Sequence, residues 1–266
     1  MVGSASTLVV IGGGNMGAAL VHGVLRAGRS PSDVTIVEAS ETRRRELLET
    51  FRGVNVTDAV TACRDVIIAV KPADVAEVCA LAAACGATRI LSIAAGVRIA
   101  RLQQASGAGV RVIRAMPNTP AVVGMAATAI AVSSDCTDDD RAWACELMAG
   151  VGMVVELDES MLDAFTGLMG SGPAYVFYLA ESLQAAAVAE GFDSESSAHL
   201  VAQLIAGSAA LLQREPQHAR QLRERVTSPN GTTAAGIAVL EARHMHDALL
   251  AAVRSAAARS KELGDA

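Results

Sequence analysis

Hydrophobic and polar positions alternate between two periods along the first half of the chain. Leu8–Ile11 is a short, wholly apolar run. Three glycines cut it off, and a helical pattern over Asn15–Ala27 follows at once, ending at Gly28. Asp33–Glu38 reads as a second strand, Glu41–Arg52 as a polar, amphipathic helix ending at Gly53, and Gly53–Val56 as a short third strand. Asp65–Val70 is nearly all apolar, as a parallel strand covered on both faces should be. It stops at Lys71-Pro72, because proline cannot donate to a ladder. Helix Asp74–Ala84, strand Arg89–Ile93, helix Val97–Ala105 and strand Val110–Ala115 repeat the unit. M-P-N-T-P follows, a stretch whose two prolines forbid regular structure. Met125–Val132 and Met153–Leu157 read as closing strands, with helix Asp138–Ala149 between them. Strand–helix alternation with short loops predicts an α/β domain built on a doubly wound parallel sheet.

The pattern changes after about Leu157. No further strand-like run occurs, and helices are expected at Met161–Leu168, Pro173–Glu190, Ser194–Arg214, His218–Val226, Thr232–Leu240 and Asp247–Leu263. Pro173 suits a first helical turn, where its missing N–H costs nothing. Gly191 and the Gln213–Gln217 segment with Pro216 mark stops. The chain therefore reads as bipartite: 1–157 a Rossmann-like dinucleotide-binding domain, 158–266 an all-helical domain. The helical half is rich in Ala and Leu and too thin to bury all its apolar faces alone, which predicts at least a homodimer.

The first candidate chemistry lies where the first strand meets its helix. Gly12, Gly14 and Gly17 stand as G-x-G-x-x-G, and Glu38 lies 21 residues past Gly17. Gly12 permits the sharp turn, Gly14 lets a pyrophosphate approach the backbone, and Gly17 lets the helix lie close to the sheet. The helix N-terminus then offers free N–H groups and a positive dipole end to the phosphates. A carboxylate such as Glu38 bonds ribose hydroxyls and disfavours a 2′-phosphate; Ser40, Arg43 and Arg44 stand near enough to offset it.

Composition narrows the rest. The 266-residue chain carries a net charge of −6, which argues against a surface that tracks nucleic acid. Five scattered cysteines form no metal spacing and read as free thiols of a reducing, cytoplasmic compartment. No basic leader precedes the first strand, and the least polar stretches are too short to span a bilayer, so no membrane association is expected. His244 and His246 lack companion ligands, so no metal is expected. No nucleophile elbow is present, and no cysteine has the setting of a nucleophile.

Four further stretches carry possible chemistry. In Val226–Leu240 a Pro-Asn-Gly turn runs into Thr232 and Thr233 and then a helix. With Thr232 as N-cap, the backbone N–H groups there would suit a carboxylate, and Ser228 could add a donor; an ordinary capped helix start is the reading the local sequence favours. Thr166–Tyr175, T-G-L-M-G-S-G-P-A-Y, suits either close ligand approach or tight helix crossing. Ala69-Val70-Lys71-Pro72 and Ile93-Ala94-Ala95-Gly96 stand at C-terminal strand ends, where open α/β sheets place ligands. Lys71 also fits a solvated loop lysine, and the small residues after Ile93 also fit a helix start.

Together and in this order, I-G-G-G-N-M-G, A-V-K-P, R-A-M-P-N-T-P, G-S-G-P-A-Y and V-T-S-P-N-G-T-T resemble the pyrroline-5-carboxylate reductases over nearly the whole chain. The resemblance implies NAD(P)H-dependent reduction of a cyclic imino acid, 1-pyrroline-5-carboxylate, to L-proline. It also implies a C-terminal helical domain that intertwines with a second subunit. By it, Gly12, Gly13, Gly14, Asn15, Met16, Gly17, Ala69–Pro72 and Ile93–Ala95 touch the cofactor. Ser228, Gly231, Thr232 and Thr233 hold the substrate carboxylate and imine, with Thr233 on the ring nitrogen, and Thr166 and Glu159 line the same pocket. Three positions depart from the family pattern: Asn230 where Gly is usual, Met169 in place of a serine, and the Glu38–Arg45 loop. They leave NADP and NAD both open as cofactor. The alternatives are a reductase of another cyclic imino acid and a non-catalytic nucleotide sensor on the same fold.

Overall fold

The computed structural model describes residues 8–215 and 218–265; Thr7, and Pro216 and Gln217 in the expected helix stop, lie outside the described residues. The chain divides into two compact units, Met1–Ser171 with Arg254–Ala266, and Gly172–Val253.

The first unit is built on one sheet. Its strands are β1 (Leu8–Ile11), β2 (Val34–Val37), β3 (Asn55–Thr57), β4 (Asp65–Ile68), β5 (Arg89–Ser92), β6 (Arg111–Met116), β7 (Ala126–Val132) and β8 (Gly152–Glu156). They lie in the order β3-β2-β1-β4-β5-β6-β7-β8. The first six are parallel, with Leu8 opposite Val34 on one side and Asp65 on the other. Strand order thus reverses direction at β1, and the crevice between β1 and β4 is the topological switch point where such sheets bind ligands.

β7 breaks the expected all-parallel pattern and runs antiparallel to β6, with Met116 opposite Ala129. The connection between them holds only a short 3-10 turn, Thr119–Val123. That is too short for a right-handed crossover, so the chain must reverse. The same turn corrects the expectation of irregular backbone after β6, since Pro120 sits in its first turn. β8 returns parallel to β7 after a helical crossover.

Residue alternation along the strands explains the two covered faces. One core holds Leu8, Val10, Ile36, Ile67, Leu91, Ile113 and Ile130 under α1 (Asn15–Arg26), α2 (Glu41–Thr50) and α5 (Asp138–Ala149). The other holds Val9, Ile11, Val66, Ile68, Ile90, Val112 and Ala129 under α3 (Val75–Ala84), α4 (Ile99–Ser106) and α6 (Leu162–Phe165). Neighbours along a strand face opposite ways, so an all-apolar strand supplies both cores.

The strands' N-terminal ends carry charge. Asp140, nearly fully buried, pairs with Arg89 at 3.2 Å and Arg111 at 2.8 Å, and Arg89 reaches Asp65 at 2.8 Å. Arg89 also stands 4.2 Å from the Trp143 ring centroid. Asp140 and Thr137 form the capping box that starts α5.

Beyond α6 the helix expected over Met161–Leu168 is a composite: a 3-10 turn Glu159–Met161, α6, and a π-helical turn Thr166–Gly170. The second unit is helical: α7 (Gly172–Ala189), α8 (Ser194–Arg214), α9 (Ala219–Arg225), α10 (Thr232–Ala242) and the first part of α11 (Met245–Asp265). α7 and α10 bury no residue completely. Phe177, Tyr178, Val239 and Leu240 are all exposed.

Candidate functional site

The glycine turn forms as its sequence requires. Gly12 takes φ +106, a left-handed conformation, and a Cβ there would run into the Ala69 carbonyl. A Cβ on Gly17 would strike the Gly12 carbonyl, so this glycine sets how close α1 lies to β1. Gly14 is different: a Cβ there would meet nothing within 4 Å. It is exposed and caps α1 without any side-chain hydrogen bond. A helix start with open backbone amides at the switch point is a cradle for a diphosphate, and the residues fit the nicotinamide dinucleotide they were expected to hold.

Glu38 closes this turn from the end of β2. Its Oε2 accepts from the Gly13 N–H at 2.9 Å and its Oε1 from the Ser40 N–H at 2.9 Å. An ionised carboxylate has about four acceptor sites, so both oxygens keep capacity for ribose hydroxyls. Arg43 donates through Nε to the Gly13 carbonyl at 2.8 Å, and Arg44 through Nη1 to the Glu38 and Ala39 carbonyls at 2.9 and 2.7 Å. Ser40 is the N-cap of α2, its hydroxyl accepting from the Arg43 N–H.

The neighbouring strand ends supply the rest of the crevice. The Ala69 N–H donates to the Ile11 carbonyl at 2.7 Å, which sets Ala69–Pro72 beside the glycine turn. Lys71 and Pro72 are exposed there. The Ile93 N–H donates to Ile68 at 3.0 Å, and the Ala94 N–H to the Ser92 hydroxyl at 3.3 Å. Ala94 is buried and Ala95 exposed.

Several structural residues here went unnoticed in the sequence. Arg114, 3 % exposed in β6, pairs with Glu159 at 3.1 Å and with Asp163 at 3.9 Å. The signal available was an arginine inside an otherwise apolar strand, which must find a partner when buried. Glu159, expected at the substrate, uses Oε1 to accept from the Ile99 N–H at 2.7 Å as well as from Arg114. Thr166 donates back to the Leu162 carbonyl at 2.7 Å. Asn118, also buried, ties the π-helical turn to the sheet: it donates to the Met169 carbonyl and accepts from the Ala127 N–H, both at 3.0 Å.

In the second unit, Ser228-Pro229-Asn230-Gly231 is a tight turn closed by the Gly231 N–H on the Ser228 carbonyl at 3.0 Å. Asn230 takes φ 60, so the asparagine adopts the left-handed position its amide side chain tolerates. The N-cap of α10 is Gly231, not Thr232; Thr232 is the first helical residue. A glycine cap has no side-chain acceptor, and no side chain makes a capping hydrogen bond at the helix start. Thr233 is half-buried, Thr232 and Ser228 exposed. A Cβ on Gly231 would collide with the Ser228 hydroxyl, which fixes glycine at the turn.

Burial disfavours the thiolate at Cys63, Cys79 and Cys136. Burial pushes Cys79 up to about 11, and burial with the neighbouring Cys85 does the same for Cys63. Among the described residues, no group of His, Cys, Asp and Glu is placed to hold a metal ion. No helix among them is long and apolar enough to cross a membrane.

Comparison with known proteins gives consistent matches. A family model described as pyrroline-5-carboxylate reductase dimerisation matches residues 159–263, and one described as NADP oxidoreductase coenzyme F420-dependent matches residues 7–96. The pyrroline-5-carboxylate reductase of Mycobacterium leprae is 39% identical over 289 residues, covering 99% of this chain and 98% of its own. That of Arabidopsis thaliana is 40% identical over 260 residues, covering 95% and 94%. Among solved structures, a pyrroline-5-carboxylate reductase from Coxiella burnetii superposes with a TM-score of 0.90 at 32% identity, over 98% of this chain and 99% of that one. A Plasmodium falciparum pyrroline carboxylate reductase with NADP bound gives 0.85 at 28% identity, over 97% and 98%.

Proposed function

The chain belongs to the pyrroline-5-carboxylate reductase family, and from that premise we propose how its own residues serve the reaction. It is an NAD(P)H-dependent oxidoreductase that reduces 1-pyrroline-5-carboxylate to L-proline in proline biosynthesis, and it works as a homo-oligomer. The bound nicotinamide supplies the hydride that reduces the ring C=N carbon.

The backbone amides at Asn15 and Met16 hold the pyrophosphate, with Gly12, Gly13, Gly14 and Gly17 shaping the turn. Glu38 and Ser40 border the adenosine ribose. Ala69–Pro72 and Ile93–Ala95 form the floor under the remainder of the dinucleotide. In the helical half, the amides of Thr232 and Thr233 receive the imino acid's carboxylate, with Ser228 and Gly231 completing the turn. The Thr233 hydroxyl meets the ring nitrogen. A hydroxyl both donates and accepts, so it can follow that nitrogen from imine to amine. Glu159 Oε1 and the Thr166 hydroxyl proton have partners within their own unit, and both side chains keep further acceptor positions for a ligand. The ring imine enters already protonated, so hydride arrival at carbon completes the amine; held geometry then supplies much of the acceleration without a strong general acid among the side chains. The two halves, 1–157 for the cofactor and 158–266 for substrate and assembly, divide these tasks. The setting is cytoplasmic, without nucleic-acid partners, in keeping with free thiols and a mild net charge.

The observation that carries the site is the uncapped start of α10 behind a turn held by Asn230 and Gly231. Steady-state assay of NADPH and NADH oxidation with 1-pyrroline-5-carboxylate and with piperideine carboxylates tests the substrate. The expected order has the five-membered ring first by kcat/KM. Preference for a six-membered ring would move the chain to another imino acid, and oxidation of neither would leave a nucleotide-binding protein.

A further inference from the structure

α11 belongs to both compact units: it starts in the helical one, and its last turns, from Arg254 on, belong to the sheet-containing one. Those turns make specific contacts. The Ser260 hydroxyl, 5 % exposed, donates to Asp163 Oδ1 at 2.7 Å. Asp163 also faces the buried Arg114 guanidinium at 3.9 Å, and Arg114 holds Glu159. Glu159 in turn accepts the N–H of Ile99, the first residue of α4. A continuous polar chain therefore runs from α11 to the helix that follows β5. A second contact reaches the loop itself. Gly96, at φ +76, lies so close to α11 that a Cβ would stand 3.3 Å from Leu263 Cβ and backbone carbon. From the other side, a Cβ on Gly264 would stand 2.8 Å from the Gly96 carbonyl oxygen.

Both ends of the segment Ile93–Ile99 are thus held. β5 fixes its start, Glu159 holds its far end at Ile99, and the last turn of α11 lies against its middle at Gly96. We propose that Ser260 and Gly264 are positioning residues for the loop after β5, and that α11 thereby sets affinity for the dinucleotide. The inference rests on the reading that Ile93–Ala95 lie against that cofactor. Ala94 and Val97 are buried and anchor the loop, but between them Ala95 is exposed and Gly96 has no side chain, so the tip has little of its own to hold it in shape. Preorganisation must come from what lies behind it, and ordering a loop in advance strengthens binding by removing that cost from the binding step.

The test is calorimetric titration of the full-length oligomer with NADPH alone, together with steady-state kinetics. Ser260→Ala removes the hydroxyl, and Gly264→Ala pushes a methyl against the Gly96 carbonyl. Each should raise the NADPH Kd by about three- to ten-fold, Ser260→Ala on the scale of one lost hydrogen bond and Gly264→Ala through the displaced Gly96 carbonyl. KM for the imino acid and the sedimentation coefficient should stay within about twofold, since α10 is untouched. Ser260→Thr keeps the donor and should bind NADPH as the wild type does. Wild-type affinity in both alanine variants, or equal weakening of imino acid and NADPH, would overturn the inference. Ala95→Leu separates it from its premise. This exposed position tolerates leucine in the fold, so a leucine that leaves NADPH binding unchanged means the loop does not touch the cofactor, and both ideas fall. Loss of binding in Ala95→Leu with wild-type affinity in the two α11 variants removes the α11 inference alone.

Discussion

Thr233 is the second residue of a helix that no side chain caps, and its hydroxyl is the one group assigned to the reacting nitrogen. Thr233→Val keeps the branched shape and loses the hydroxyl. Leaving a partner unsatisfied costs ~1–3 kcal/mol. kcat/KM for the imino acid should therefore fall by roughly ten- to a hundred-fold, with NADPH affinity from fluorescence titration unchanged. A large loss of NADPH binding would contradict the assignment. Glu38 is a second residue-scale case. Its oxygens brace Gly13 and Ser40, and its charge disfavours a 2′-phosphate. NADH should support a rate comparable with NADPH in the wild type. In Glu38→Ala both cofactors should bind more weakly through the loosened turn, NADH more so, shifting the Kd ratio toward NADPH. An unchanged ratio would mean that the carboxylate acts on the turn alone.

α5 shows how an element is held at its start. Burial alone would raise the Asp140 carboxyl, but the Thr137 amide and hydroxyl and the Arg111 guanidinium outweigh it and hold Asp140 below the ordinary carboxylate range. A depressed carboxylate pKa adds stability above the unfolded-state pKa, and that stability is lost as pH falls through the folded value. Thr137→Ala should cost about 1 kcal/mol as a lost N-cap. Asp140→Asn should cost more, about 3 kcal/mol, because two arginines lose their buried partner. Urea denaturation at fixed protomer concentration measures both. The gap between wild type and Asp140→Asn should narrow on acidification below about pH 4, where the unfolded-state carboxyl begins to take up its proton while the folded one still resists it. A constant gap would place the effect in packing. The π-helical turn Thr166–Gly170 is an element that the sequence did not announce. Its glycines and proline were visible, but the bond that the Asn118 amide makes to the Met169 carbonyl inside the widened turn joins residues far apart in sequence.

The helical unit leaves Phe177 at 68 % and Tyr178 at 73 % exposure, with Leu200 and Leu204 also open on α8. Apolar area of this kind marks an interface. Phe177→Asp should raise the dimer dissociation constant at least about tenfold, since a charge buried in an apolar contact loses its hydration. Analytical ultracentrifugation at micromolar concentration should find no monomer in the wild type and a monomer fraction in the variant. A wild-type monomer with full activity would remove the expectation.

Much of this protein was legible along the chain because the relevant physics is local. A strand buried on both faces is largely apolar, so β1 and β4 stood out. A turn that crowds its own backbone must use glycine, so Gly12 and Gly17 stood out. Helix ends obey short-range capping rules, and α5 and α8 match the expected limits, Asp138–Ala149 and Ser194–Arg214. The order of motifs carried the family. Contacts between distant residues were decided only in three dimensions. The reversal of β7 depends on a connection too short for a crossover, although its residues read as any strand. Gly231 rather than Thr232 became the cap because the Ser228–Gly231 turn sets where helical geometry starts. Arg114, Asp163 and Ser260 lie far apart in sequence, and no local rule relates them. They meet because a buried guanidinium must be neutralised by whatever carboxylates the folded chain brings within reach.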